Sequence, residues 1–112
     1  MARTNTMKND LATAYFAAID KVSLHTGDPG TTGANEISGG SPAYARITPP
    51  AATLNGTGQG SIQVTFNVPA GVTVGGAGLR DASNNFLDGG TLTPLAFASQ
   101  GTYTLTITYQ QN

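Results

Sequence analysis

The sequence predicts a mainly β domain: an antiparallel β-sandwich, or a small barrel, of six to seven short strands with one N-terminal α-helix. Three observations carry that reading. Residues 61–68 alternate strictly, with Ile62, Val64, Phe66 and Val68 on one side and Ser61, Gln63, Thr65 and Asn67 on the other, the period-two pattern of a half-buried strand. Residues 102–109 set Tyr103, Leu105, Ile107 and Tyr109 against alternating threonines, as expected of an antiparallel strand with one wet face. Turn-forming residues break the chain at Asp28-Pro29-Gly30, Asn55-Gly56, Pro69-Ala70-Gly71 and Asp88-Gly89-Gly90, the rhythm of many short strands. A chain of 112 residues suits one domain spanning 1–112.

Residues 7–20 carry the helical period. Leu11, Tyr15 and Ile19 recur on one stripe, which Ala12 and Phe16 widen,. Ala-rich filling favours helix. Asn9 suits the N-cap, and Asp10 suits the positive end of the helix dipole. So short a helix is marginal alone, and its stripe must dock on this domain's own sheet or on a neighbouring subunit.

Residues 21–25 alternate as a short strand with Val22 and Leu24 on one side,. A long loop, 26–43, follows. Asp28-Pro29-Gly30 turns it, because proline presets φ and glycine accepts positive φ. A connection this long is often functional or ordered by a partner. Protease sensitivity is therefore expected in the loop and in the polar tail 1–6 of the free protein. Residues 44–48 read as a second strand, stopped by Pro49-Pro50,, and 51–60 as a loop. In the strand at 72–80, Gly75, Gly76 and Gly78 suggest a bulge or a close backbone approach,. A turn at 81–85 precedes a short strand at Phe86-Leu87. Asp88-Gly89-Gly90 is a second turn, and 91–97 is an edge or irregular strand around Pro94,.

Composition narrows the function. Only 10% of residues are charged and the net charge is −1. So weakly charged a surface suits life in an assembly. The five basic residues are scattered, with no patch to neutralise phosphates, so no nucleic-acid partner is expected. The absence of cysteine excludes disulfides and thiolate metal sites. No apolar run approaches the roughly 20 residues that span a bilayer, so no membrane partner is expected. The N-terminus lacks a signal-peptide core, which makes cytoplasmic synthesis the expectation.

Several segments together resemble a known family. Ser23-Leu24-His25-Thr26-Gly27-Asp28-Pro29-Gly30-Thr31-Thr32-Gly33-Ala34-Asn35-Glu36-Ile37-Ser38-Gly39-Gly40, leading to Tyr44-Ala45-Arg46, is similar to the opening of small tail-fibre-like or minor tail proteins of actinobacterial bacteriophages. Val64-Thr65-Phe66-Asn67-Val68-Pro69-Ala70, Gly76-Ala77-Gly78-Leu79-Arg80-Asp81-Ala82, Phe86-Leu87-Asp88-Gly89-Gly90 and Gly101-Thr102-Tyr103-Thr104-Leu105 resemble it too. One departure is Arg80, where the family often has an aromatic. The resemblance implies a virion structural protein, tail-associated or fibre-type, made in the host cytoplasm and acting by subunit packing. Its partners would be copies of itself, in a homo-oligomer for which the fibre resemblance suggests trimers, neighbouring virion proteins, and the host cell surface. The alternatives are a decoration protein of the phage head and, less favoured, a host-glycan-binding module. With no Trp and four Tyr, the chain is poorly equipped to stack sugars. The resemblance supplies no catalytic residues, and no enzyme activity or cofactor is expected.

The residues themselves agree. His25 is the only histidine, and with Asp28 it could suggest a catalytic pair or a metal site. A hydrogen-bonding residue that anchors the loop is the better reading. Asp28, Asn35 and Glu36 are oxygen ligands in a glycine-rich loop, but their spacing fits no EF-hand; turn capping explains Asp28 and Asn35. Gly56-Thr57-Gly58-Gln59-Gly60 lacks the Lys-Ser/Thr of a phosphate loop and precedes a strand, so it reads as a flexible connection,. No catalytic, cofactor-binding or metal-binding residue is assigned. Tyr and Arg are enriched in contact hot spots. The candidate interface is Leu11, Tyr15, Phe16, His25, Asp28, Asn35, Glu36, Tyr44, Arg46, Arg80 and Tyr109, while Tyr103 is expected in the core.

Overall fold

The computed structural model describes residues 3–111. Helix α1 (Asn5–Ala17) precedes strands β1 (Lys21–His25), β2 (Thr53–Leu54), β3 (Gln59–Val68), β4 (Val72–Arg80), β5 (Phe86–Phe97) and β6 (Gly101–Gln110). The strands form two antiparallel sheets, in the orders β1-β4-β5 and β2-β3-β6. The arrangement is a sandwich and not a closed barrel. Its core joins Val22 and Leu24 of β1, Val74 and Leu79 of β4, Leu105 of β6, and Ile62, Val64, Phe66 and Val68 of β3.

The alternation of β3 maps directly onto burial: Ile62, Val64, Phe66 and Val68 are buried, and the residues between them face outward. Phe66 is fully buried, which stabilises the fold by about 1.5–3 kcal/mol before entropy is counted. β6 follows β3 pair for pair, from Gln59 opposite Gln110 to Val68 opposite Gly101. On the outer face, the Thr65 and Thr104 hydroxyls lie 3.1 Å apart, and Gln63 Nε2 donates to Thr106 at 3.2 Å. Tyr103 packs half-buried against the core.

Four sequence expectations need correction. The N-cap is Thr4 and not Asn9: Thr4 Oγ1 accepts from Met7 N at 3.2 Å. Threonine caps nearly as well as asparagine, and the earlier start leaves Asp10 outside the first helical turn. Asn5 and Thr6 of the expected tail are helical; Met1 and Ala2 of that tail lie outside the described residues. Residues 44–48 form no strand. Only Ile47 pairs, in an isolated bridge to Val22, and Pro49-Pro50 has no N–H to extend it. Residues 51–60 hold β2, which pairs with Ser61 and Gly60, and the start of β3, so residues 55–58 close a hairpin. Asn55 Oδ1 accepts from Thr57 N and Gln59 N there.

The fourth correction concerns Asp88-Gly89-Gly90, which does not turn. These residues pair with Leu79, Gly78 and Ala77 of β4 within one continuous β5. A ready partner strand overrides the local turn preference. The irregularity foreseen around Pro94 is present. Leu92, Thr93 and Pro94 stand opposite Gly75 alone, between the pairs Val74–Leu95 and Gly76–Thr91. A proline lacks the ladder donor, and an edge bulge tolerates that.

Candidate functional site

Seven of the predicted residues, His25, Asp28, Asn35, Glu36, Tyr44, Arg46 and Arg80, gather where β1 meets the long loop. β1 is buried on both faces. Val22 and Leu24 enter the core, while Ser23 and His25, on the opposite face, are fully buried beneath the loop. Glycines of β4 make the room. Ser23 pairs with Gly78 and His25 with Gly76. A Cβ on Gly78 would lie 2.8 Å from Ser23 Oγ and 2.9 Å from His25 Nε2. A Cβ on Gly76 would lie 2.1 Å from Gly27 O. The close approach suggested by these glycines is therefore real: the loop backbone approaches Gly76, and the side chains of Ser23 and His25 approach Gly78.

His25 Nδ1 lies 2.7 Å from Ala34 O, and Nε2 lies 2.7 Å from Ser23 Oγ. A carbonyl can only accept, so Nδ1 carries the proton and Nε2 accepts from the serine hydroxyl. The ring is thereby assigned as the neutral tautomer. Burial holds its pKa below the ordinary value, outweighing the Ala34 carbonyl and the Glu36 charge, which pull the other way. His25 is thus the loop anchor the sequence suggested, with both ring nitrogens occupied.

The loop is tied elsewhere as well. Thr26 N donates to Asn35 O, Ile37 N donates to Leu24 O, and Gly33 N and Ala34 N both donate to Pro29 O. Asp28 Oδ1 accepts from Gly30 N at 2.9 Å and so caps the turn, while Asn35 Nδ2 donates to Asp28 O at 3.3 Å, tying across the loop rather than capping a turn. Asn35 sits at φ 63°, a conformation asparagine tolerates better than most residues. Ile37 is buried in the core and Pro29 is fully buried. The loop is packed by its own chain.

Glu36 ties the far side. Its carboxylate accepts from Arg46 Nη2 at 2.7 Å, from Arg46 Nε at 2.9 Å and from the Tyr44 hydroxyl at 2.8 Å. The Tyr44 hydroxyl itself accepts from Leu24 N at 3.0 Å. Burial alone would raise the Glu36 pKa, but the Arg46 and Tyr44 hydrogen bonds and the Arg46 charge outweigh it and hold the carboxyl low. Burial and the Glu36 contact push the Tyr44 phenol up. Arg46 continues to Asn84 Oδ1 at 2.6 Å, and Arg80 Nη1 donates to Asn84 O at 3.1 Å. The Arg80 guanidinium lies 5.4 Å from the Phe86 ring centre. Ser23, Asn84 and Phe86 were not foreseen in this network. Gly78, opposite Ser23, was the one signal that could have found the serine.

Tyr15, Phe16 and Tyr109 form a second cluster, and the helix docks in cis through it. Tyr15 stacks on Tyr109 with centroids 3.8 Å apart, and Phe16 sets its edge against both rings. The Tyr15 hydroxyl donates to Asp88 Oδ2 at 3.1 Å, bridging the two sheets. Burial first, then the Asp88 charge and hydrogen bond, push the Tyr15 phenol up to about 12. Leu11 joins neither cluster and is exposed. Ala12 is the buried residue of the helix, since a small side chain lets the helix backbone approach closely. Among the described residues, no group of three or more His, Cys, Asp or Glu side chains could hold a metal ion.

What this arrangement does chemically is hold backbone in place: the polar groups of Ser23, His25, Glu36, Tyr44 and Arg46 are spent within the chain, while Arg80 Nε is buried with no hydrogen-bond partner among the described residues. In a comparison with protein families, the model described as Podophage GP4 fiber I protein gp80 matches residues 4–106. That span runs from the helix cap into β6 and agrees with the tail-fibre resemblance; it says nothing of an actinobacterial host. No curated protein and no solved structure matches the chain.

Proposed function

The chain belongs to the podophage GP4 fiber I protein gp80 family, and from that premise we propose that it is a non-enzymatic structural component of a phage tail, working through contact with neighbouring subunits. The family match carries the proposal. The geometry supports it in two ways. His25, Glu36, Tyr44 and Arg46, the side chains best suited to chemistry, are hydrogen-bonded within the chain. The outward faces of β3 and β6 are uncharged rows of Thr, Ser, Gln and Asn, which can be buried against a neighbour without stranding a charge.

Antibody against this chain, imaged on purified particles, tests the assignment. Label on the tail is expected. Label confined to the head would overturn the tail assignment in favour of a decoration protein. Saturable binding of host surface glycan by the purified protein would favour a receptor-binding module, and turnover of a cell-wall substrate would overturn the non-enzymatic half of the proposal.

A further inference from the structure

Each sheet has two rim strands with a single neighbouring strand: β1 and β5 beside β4, and β2 and β6 beside β3. β1 is bridged by Ile47 and Glu36 of the loops, and β2 is only two residues long, which leaves β5 and β6 as the long rims. Such rims expose unpaired backbone donors and acceptors and invite another strand, and proteins blunt them with charge, proline and bulges. β5 is blunted by Asp88, by Pro94 and by two breaks in its register with β4. β6 has none of these. Residues Gly101–Gln110 contain no charge and no proline, and they run through ten consecutive pairs with β3 without a break. Its inner-face residues Tyr103 and Ile107 remain half-buried, whereas Phe66 and Ile62 opposite them are buried.

The strand is also its own complement. In any antiparallel self-pairing that keeps the two faces matched, Thr meets Thr and apolar meets apolar. Centred on Leu105, Thr104 of one copy faces Thr106 of the other, and Tyr103 faces Ile107. Thr–Thr and aromatic–β-branched pairs are favourable cross-strand neighbours. No like charges meet, and a foreign charged strand would find no ion pair here. α1 stacks at the Tyr109 end and the Phe97 ring lies against Gly101, so residues 102–108 are the clear stretch, roughly 24 Å of strand.

We propose that β6 pairs antiparallel with β6 of a second copy of this chain, joining two three-stranded sheets into one across a two-fold axis. A two-fold contact of this kind is closed and uses each rim once. The inference rests on the structural role proposed above and names its contact.

Sedimentation equilibrium of the purified protein is the test. The mass should rise with concentration from 11.4 kDa towards twice that value. T104K/T106K and T104E/T106E, each shown folded by circular dichroism, should both stay at the monomer mass. An equal mixture of the two should recover the doubled mass, because Lys then faces Glu across the axis. Amide exchange in β6 of the unmodified protein should slow as concentration rises while β5 stays unchanged. A monomer up to the solubility limit, undiminished pairing in either variant, no recovery on mixing, or concentration-independent exchange in β6 would each overturn the proposal. Tail label on particles together with a monomer in solution would sink this contact and leave the structural role standing.

Discussion

Replacing His25 with alanine tests whether the long loop is held from within. The side chain is fully buried and makes two hydrogen bonds of 2.7 Å, to Ser23 Oγ and Ala34 O. Each contributes about 1 kcal/mol net. The emptied ring site, next to Phe86 at 6.3 Å between centroids, adds about 1–2 kcal/mol of lost packing. The expected loss is therefore about 3–4 kcal/mol, a large share of the roughly 5–15 kcal/mol typical of a domain. It should lower the melting temperature by on the order of 15 °C. Urea unfolding followed by circular dichroism measures the loss. A glutamate-specific protease reads the loop directly, through cleavage after Glu36. The unmodified protein should resist because Glu36 is clamped by Arg46 and Tyr44, and the His25→Ala variant should be cut faster. A loss below about 1 kcal/mol with equal cleavage of both proteins would refute the anchoring argument.

Acidification should weaken the same region in two stages. The His25 pKa is lowered in the fold, so the unfolded chain takes up the proton first, and stability falls as pH drops below the ordinary 6.5,. The Glu36 pKa is also lowered, so its contribution is present above the ordinary 4.5 and lost as pH falls through the folded value,. Urea midpoints against pH should show both stages, the first missing in His25→Ala and the second in Glu36→Gln. Gly76→Ala should cost about 1–3 kcal/mol, because its Cβ meets the Gly27 carbonyl at 2.1 Å. Gly90→Ala has nothing within 4 Å and should stay within about 0.5 kcal/mol by thermal unfolding. Ultraviolet titration should find the Tyr15 phenol ionising near 12, with stability falling as pH climbs above the ordinary 10 because the folded state holds that proton. Asp88→Asn should bring the ionisation down.

Legibility followed the range of the interactions involved. The alternation at Ile62-Val64-Phe66-Val68 and at Tyr103-Leu105-Ile107 stood in the sequence because burial of one sheet face writes a period of two into consecutive residues. The glycines of β4 signalled close approach because nothing else in a strand spares its Cβ. The capping role of Asp28 was legible because its partner, Gly30, lies two residues on, whereas Asn35 reaches back seven residues to Asp28 O. Tyr44–Thr48 read as a strand because it has the right residue types, but its pairing is limited to Ile47. Asp88-Gly89-Gly90 read as a turn because local preference was the only guide.

By itself, then, the sequence determined a charge-poor, cysteine-free β protein with one N-terminal helix, a family of phage fibre proteins, and the residue types at the loop. Tertiary structure alone decided that Ser23 and His25 lie sealed beneath that loop and that Glu36 gathers Tyr44 and Arg46. It also decided that Asp88 of one sheet receives the Tyr15 hydroxyl of a helix resting on Tyr109 of the other. Tyr15 and Asp88 stand 73 residues apart. A hydrogen bond over that separation leaves no periodic trace along the chain, since it exists only once two sheets have brought its ends together.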